Sequence, residues 1–359
     1  MKSFHLIKWL LVFLLSFCEF SIAQNPKPLS IKFVSAEKSI VDVSRGDVKN
    51  SIRLSVNNTT QYPKIFNIKF TNSSSKDVIV ESQILIDPYS IKTQILKVVD
   101  GKELENKFSW SYSERVGDEK SAFLEISNNG KFHHSIRINI FNNDSEVIAG
   151  QLYLQVRPEV ASVVKVDALN GASFTNSLRY VFNSRHGVFK PTNFNKKIQF
   201  PFFETTKVSV CQSFDGKLTT HIDDPMAFDF CGREGESIRA VADGLVYTVI
   251  DTFSDGGHKP ELKDKANLIG IMDEYGVVYL YVHIVKGSAK VKVGDKVKAG
   301  QVIGEVGSVG YSSGPHLHLS VAIVDENINH KSMHVEFLNS KNKVIDIKYK
   351  STIYDGKVR

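Results

Sequence analysis

From about Leu29 to Val156 apolar and polar residues alternate in short runs. "IFNIKF" sets Phe66, Ile68 and Phe70 against Asn67 and Lys69, and "SIRINI" sets Ile136, Ile138 and Ile140 against Arg137 and Asn139. "QLYLQV" does the same with Leu152, Leu154 and Val156 against Tyr153 and Gln155. A period of two puts one face of a strand in a core and the other in water, so these runs predict half-buried antiparallel strands. Turn-forming clusters separate them: "NNTT", "TNSSS", "SNNG" and "FNND". Many short strands with such punctuation predict an all-β chain whose N-terminal part, residues 24–160, is β-sandwich-like. No internal repeat and no helical periodicity shows. Residues 161–196 mix apolar, Asn and basic residues without a clear period and read as a connector. Strand patterns resume at Lys197, now rich in glycine, and residues 346–359 read as a C-terminal strand or tail.

The first 23 residues follow another pattern. Lys2 and Lys8 precede an apolar run from Trp9 to Phe17, and "SIA" stands just before Gln24. This is the layout of a signal peptide cleaved after Ala23. The run is shorter than the roughly 20 residues that span a bilayer. Nothing later in the chain is long and apolar enough either, so an exported protein without a transmembrane segment is expected. At 42% hydrophobic and 23% charged residues the composition is that of a folded protein. Removing residues 1–23 deletes two lysines and Glu19 and takes the net charge from +6 to +5. Scattered positive charge draws a protein to anionic surfaces such as a cell wall, and no nucleic-acid partner is expected. Export also permits a bridge between Cys211 and Cys231, the alternative being two buried thiols.

Candidate chemistry lies in two stretches. In "GPHLHLSV", strand geometry turns His316, His318 and Ser320 to one side and Leu317, Leu319 and Val321 to the other. A lone His-x-His is compatible with a metal site or with two polar residues on a wet face. In "MAFDF", Asp229 sits between Phe228 and Phe230, where a carboxylate needs a cation or hydrogen-bond donors. Arg233 or Arg239 could supply an ion pair; a metal is the other reading. His221, eight residues upstream of Asp229, completes a set of two histidines and one carboxylate, which leaves an open position on zinc.

In order, "FPFF", "VCQSFDGKLTTH", "AFDF", "REGESIRAVADGLV", "NLIGIMDEYGVVYLYVHI" and "VKVGDKVKAGQVIGEVGSVGYSSGPHLHLSV" resemble the M23 family of zinc metallopeptidases, the lysostaphin/LytM-like peptidoglycan endopeptidases. The resemblance covers roughly residues 197–340 of a domain expected at 197–345. It implies an antiparallel β-sheet domain with a groove, holding one Zn²⁺ per chain on His221, Asp229 and His318. It also implies that His316 and His283, the latter in "YVHI", act in catalysis on peptidoglycan peptides. All five positions are filled, whereas non-catalytic members, which activate or scaffold other wall hydrolases, lose some of them. Three departures are visible: Ile284 and Leu319 replace a common leucine and phenylalanine, the gap from His221 to Asp229 is long, and no tyrosine stands just upstream of His221. The expected location is periplasmic or secreted and wall-associated, with the N-terminal domain contacting wall or envelope proteins. His133, His134, His186, His258, His330 and His334 are not expected to function. The lysines between Lys286 and Lys298 read as a solvated hairpin face.

Overall fold

The computed structural model describes residues 29–33, 40–45, 50–98, 108–118, 120–141, 147–169, 179–191, 194, 196–214, 224–354 and 357–358. The expected signal segment and His221 lie outside these residues. Strands dominate, and the helical element among the described residues is a 3-10 turn at Pro260–Leu262. No helix among them is long and apolar enough to cross a membrane.

The first twelve strands are β1 (Leu29–Phe33), β2 (Ile40–Arg45), β3 (Ser51–Asn58), β4 (Lys64–Asn72), β5 (Val78–Ile86), β6 (Ser90–Lys97), β7 (Phe108–Val116), β8 (Ser121–Asn128), β9 (His134–Phe141), β10 (Val147–Val156), β11 (Val160–Asp167) and β12 (Arg179–His186). They form four three-stranded antiparallel sheets, ordered β2-β3-β6, β5-β4-β7, β1-β8-β11 and β10-β9-β12. The first two sheets enclose a core of Ile52, Leu54, Val56, Phe66, Ile68 and Phe70. The other two enclose Leu124, Ile126, Ile136, Ile138 and Ile140. The alternation read from the sequence therefore serves two sandwiches. The expected connector 161–196 holds all of β12 and most of β11, which pair with β9 and β8. Both are largely exposed edge strands, so they lack the apolar period that marks the central ones.

The two sandwiches are a tandem repeat at an offset of seventy residues. Asn58 Nδ2 donates to the Tyr62 carbonyl at 2.7 Å, and Asn128 Nδ2 donates to that of Phe132 at 2.8 Å. Tyr89 and Glu159, again seventy apart, both take the left-handed conformation, with φ of 49° and 57°. Each unit ends on a glycine, Gly117 or Gly187, with φ of 116° and 115°. Their amides donate to the carbonyls of Pro63 and His133 at 2.7 and 3.0 Å. The next unit also docks in the same way: Tyr62 meets Phe123 of the second sandwich, and Phe132 meets Tyr247 of the C-terminal domain. One strand breaks the symmetry. β1, first in the chain, pairs with β8 of the second sandwich from Leu29↔Asn128 to Phe33↔Leu124, and the Tyr180 hydroxyl donates to the Ile31 carbonyl.

Past Gly187 the chain joins the C-terminal domain, where Val188 N donates to the Gly276 carbonyl and the Val188 carbonyl accepts from Val324 N. Its main sheet runs Lys296–Val297, Gly244–Ile250, Leu268–Met272, Val278–Val282, His316–Val324, Phe228–Cys231, Val208–Gln212, Thr352–Tyr354 and Lys357–Val358, so the end of the chain is part of it. Phe200, Phe202, Phe228, Phe230 and Phe337 pack edge to face beneath the centre of this sheet. That rigid floor fixes the strands that carry the polar residues described next.

Candidate active site

The strand His316–Val324 buries Leu317, Leu319 and Val321 in the core and turns His316 and His318 the other way. Its neighbour Phe228–Cys231 buries both phenylalanines, which leaves Asp229 on the same side as the histidines. The antiparallel register pairs Asp229 with His318 and Cys231 with His316. On the other flank His318 pairs with Val282, and the next residue is His283. His283 has a φ of 68° and is held there by its amide, which donates to the Asn267 carbonyl at 2.9 Å. A side chain at Gly307 would meet the His283 carbonyl oxygen at 2.7 Å, so only glycine lets these segments approach.

Four of the five sequence-predicted residues thus come together. His318 Nδ1 lies 3.0 Å from Asp229 Oδ1, and His316 Nε2 lies 3.8 Å from the same oxygen. The rings of His283 and His316 are 4.6 Å apart and those of His283 and His318 6.2 Å. Arg233 pairs instead with Glu236, and Arg239 donates to the Gly300 carbonyl. Cys211 and Cys231 form a disulfide, which takes the Cys231 sulfur out of consideration as a ligand. The bridge closes the loop that contains His221.

The hydrogen bonds assign protons. His283 Nδ1 is 2.7 Å from the Val309 carbonyl and His316 Nδ1 is 2.8 Å from that of Gly314. A carbonyl only accepts, so both Nδ1 atoms carry hydrogen, the tautomer that leaves a neutral ring its lone pair on Nε2. Burial pushes His283 down to about 3, and the neighbouring His316 and His318 add to the shift. His318 goes the other way. Burial alone would lower it, but bonds to Asp224 and Asp229 outweigh that and raise it to about 10.

Asp224 was not singled out by sequence reasoning. It lies in an irregular turn with no periodicity; the doublet "DD" before Pro225 is its only mark. Burial would raise its carboxyl, yet bonds from His318, Ser332 and Ser320 hold it below the ordinary value.

Among the described residues no three His, Cys, Asp or Glu side chains converge on one metal position. Asp229 and His318 supply two donors, and their 3.0 Å separation suits two atoms sharing a tetrahedral zinc, for which about 3.3 Å is expected. The donor set therefore fits zinc, with His221 as the remaining candidate.

The model of Peptidase family M23 matches residues 225–330. Glycyl-glycine endopeptidase ALE-1 of Staphylococcus capitis is 43% identical over 91 residues, which are 25% of this chain and 22% of that protein. The DD-carboxypeptidase/endopeptidase Mpg of Neisseria meningitidis serogroup B is 36% identical over 103 residues, 28% of this chain and 20% of that one. The solved catalytic domain of the antimicrobial peptidase lysostaphin from Staphylococcus simulans is 28% identical, covers 36% of this chain and 88% of its own, and superposes with a TM-score of 0.25. The chain spans about a fifth of the length of the two curated relatives. Asp229, His283, His316 and His318 all fall inside the matched span, and residues 225–330 of this chain are a Peptidase family M23 domain.

Proposed function

We propose that this chain is an exported zinc metalloendopeptidase that hydrolyses peptide bonds in peptidoglycan stems or cross-links. The carrying observation is the meeting of Asp229, His283, His316 and His318 on one side of a rigid sheet, with the Nδ1 atoms of His283 and His316 tied to carbonyls. His221, Asp229 and His318 would hold one Zn²⁺. When bound, that ion polarises the scissile carbonyl and brings the pKa of water towards about 7. His316 takes the proton of the attacking water on its free Nε2 and later delivers it to the leaving amine. His283 stays uncharged because it is buried, so its Nε2 accepts a hydrogen bond and orients the water. The substrate class follows the matching relatives, whose names describe action on glycyl-glycine bonds and DD-carboxypeptidase/endopeptidase activity. The sandwiches, which run on past the 24–160 span read from the sequence to His186, serve to target or space the catalytic domain at the wall, in the periplasm or outside the cell.

The test is metal analysis of purified residues 24–359 followed by incubation with purified sacculi. Stoichiometric zinc with release of muropeptides is the expected result. Stoichiometric zinc without release would sink the enzyme reading and leave a non-catalytic module that activates or scaffolds another hydrolase.

A further inference from the structure

Among the described residues His318 bonds two carboxylates, one through each ring nitrogen. Nδ1 faces Asp229 and Nε2 lies 3.1 Å from Asp224 Oδ2. These nitrogens point away from each other, so one ring cannot present both to a single ion. We infer that Asp224 is a positioning residue, a carboxylate that grips His318 Nε2–H and so aims Nδ1 and its lone pair at the metal. This rests on the zinc reading above.

The grip is built from several parts. Asp224 Oδ1 accepts from Ser320 Oγ at 3.1 Å, and Ser320 lies two residues beyond His318 on the same strand and face. Ser332 also bonds the carboxylate, and its hydroxyl accepts from Met226 N at 3.0 Å. The Asp224 carbonyl accepts from Ala227 N, which closes the turn leading into Phe228–Cys231. Ser332 is aligned with Ala322 on the neighbouring strand, so three segments converge on one carboxylate. With its side chain 28% exposed, Asp224 is sheltered enough for charge to matter. A metal-bound imidazole whose other N–H is held by a carboxylate has a fixed tautomer and greater basicity. Loss of such a partner typically weakens metal binding about 10–100-fold.

The experiment is chelator competition for Zn²⁺ on the mature full chain, comparing wild type with D224N, D224A and S320A. Metal-free melting curves check that each variant folds, and Co²⁺ absorption reports the ligand set. D224N, which keeps an acceptor but loses the charge, should bind zinc about 10-fold more weakly, and D224A nearer 100-fold. S320A, which only loosens the carboxylate, should lose about 5-fold, the worth of one neutral hydrogen bond. The Co²⁺ spectrum should be unchanged throughout. Wild-type zinc affinity in both Asp224 variants overturns the inference. So does an altered Co²⁺ spectrum in D224N, which would make Asp224 a ligand. Zinc uptake without muropeptide release sinks the peptidase reading and leaves this assignment standing; a wild-type chain that takes no zinc sinks both.

Discussion

His318 and Asp229 stand directly opposite each other on neighbouring antiparallel strands, with Nδ1 and Oδ1 3.0 Å apart. Backbone register alone sets this pairing, so it persists whatever the flanking loops do. H318A or D229A should leave the sheet folded and remove zinc together with peptidase activity. Metal content measured beside a far-ultraviolet spectrum checks this, and full metal retention in either variant would mean that the ligands lie elsewhere.

His316 gives the contrasting case. Its Nδ1 is committed to the Gly314 carbonyl and is 3.3 Å from Ser312 Oγ. H316A should therefore keep the metal while muropeptide release drops about 10² to 10⁴-fold, the usual range for a lost general acid–base. Loss of metal in this variant would show that His316 is a ligand.

Asn267 is fully buried and braces His283. Its amide donates to the carbonyls of Phe253 and Ile284 at 2.9 and 3.2 Å, and its Oδ1 accepts from Phe253 N at 3.0 Å. N267A would leave buried backbone groups unpaired, at about 1–3 kcal/mol each. It should lower thermal stability by several degrees and also reduce turnover, because the carbonyl of residue 267 still accepts from His283 N but its segment is no longer tied to Phe253 and Ile284. An unchanged melting curve with unchanged turnover would contradict the bracing role.

The Cys211–Cys231 bridge joins positions 20 residues apart. In the chain-entropy account such a closure is worth about 3 kcal/mol. C211S/C231S, or wild type in reductant, should melt at a lower temperature, and weaker zinc binding should accompany this because the closed loop holds His221. Equal melting points with and without reductant would refute the prediction.

At the junction of the second sandwich with the C-terminal domain, the rings of His134 and His186 lie 4.4 Å apart at a tilt of 41°, and His330 Nε2 donates to the His186 carbonyl. Burial drives His186 down to about 3 and His134 and His330 down to about 4, from an ordinary 6.5. A lowered histidine pKa means that only the unfolded chain takes up protons between these values. Above pH 6.5 the cluster is neutral in both states and contributes no slope. As pH falls from about 6.5 towards about 4, stability should fall, with up to three protons taken up on unfolding. His283, also held down to about 3, adds to the same slope, whereas His318, raised to about 10 in the metal-free chain, offsets part of it near pH 6.5, where the unfolded ring is still taking up its proton. Melting temperature followed from pH 7 to 5 reads this directly, and H186F should flatten the curve. A wild-type melting point independent of pH would rule the effect out.

The elements with strong alternation were legible because their cores demand it: Phe66, Ile68 and Phe70 read as a buried face and are one. The side shared by His316, His318 and Asp229 was legible for the same reason. The repeat was not, because the identities at its spacing, such as Leu54 with Leu124, Asn58 with Asn128 and Gly117 with Gly187, are few and scattered. Elsewhere equivalent positions share burial without identity: Lys64 and His134 are both almost fully buried, and Phe66 and Ile136 fill matching core places. Asp224 was hidden differently, since its role depends on an irregular turn meeting two serines that sequence leaves about a hundred residues away.

The placement of β1 makes the order of synthesis matter. The segment Leu29–Phe33 emerges before the other described strands, yet its partner strand begins only at Ser121, after a whole sandwich has been made. The first sandwich can close on β2 to β7 alone, but the second waits for a strand held back since the chain began, a long-range pairing of the kind that slows folding. Once seated, β1 covers one edge of β8 and leaves the two sandwiches laced together by the chain's own start. Trimming the N-terminus past Phe33 would strip that cover and expose a strand edge in the middle of the molecule, far in sequence from the cut.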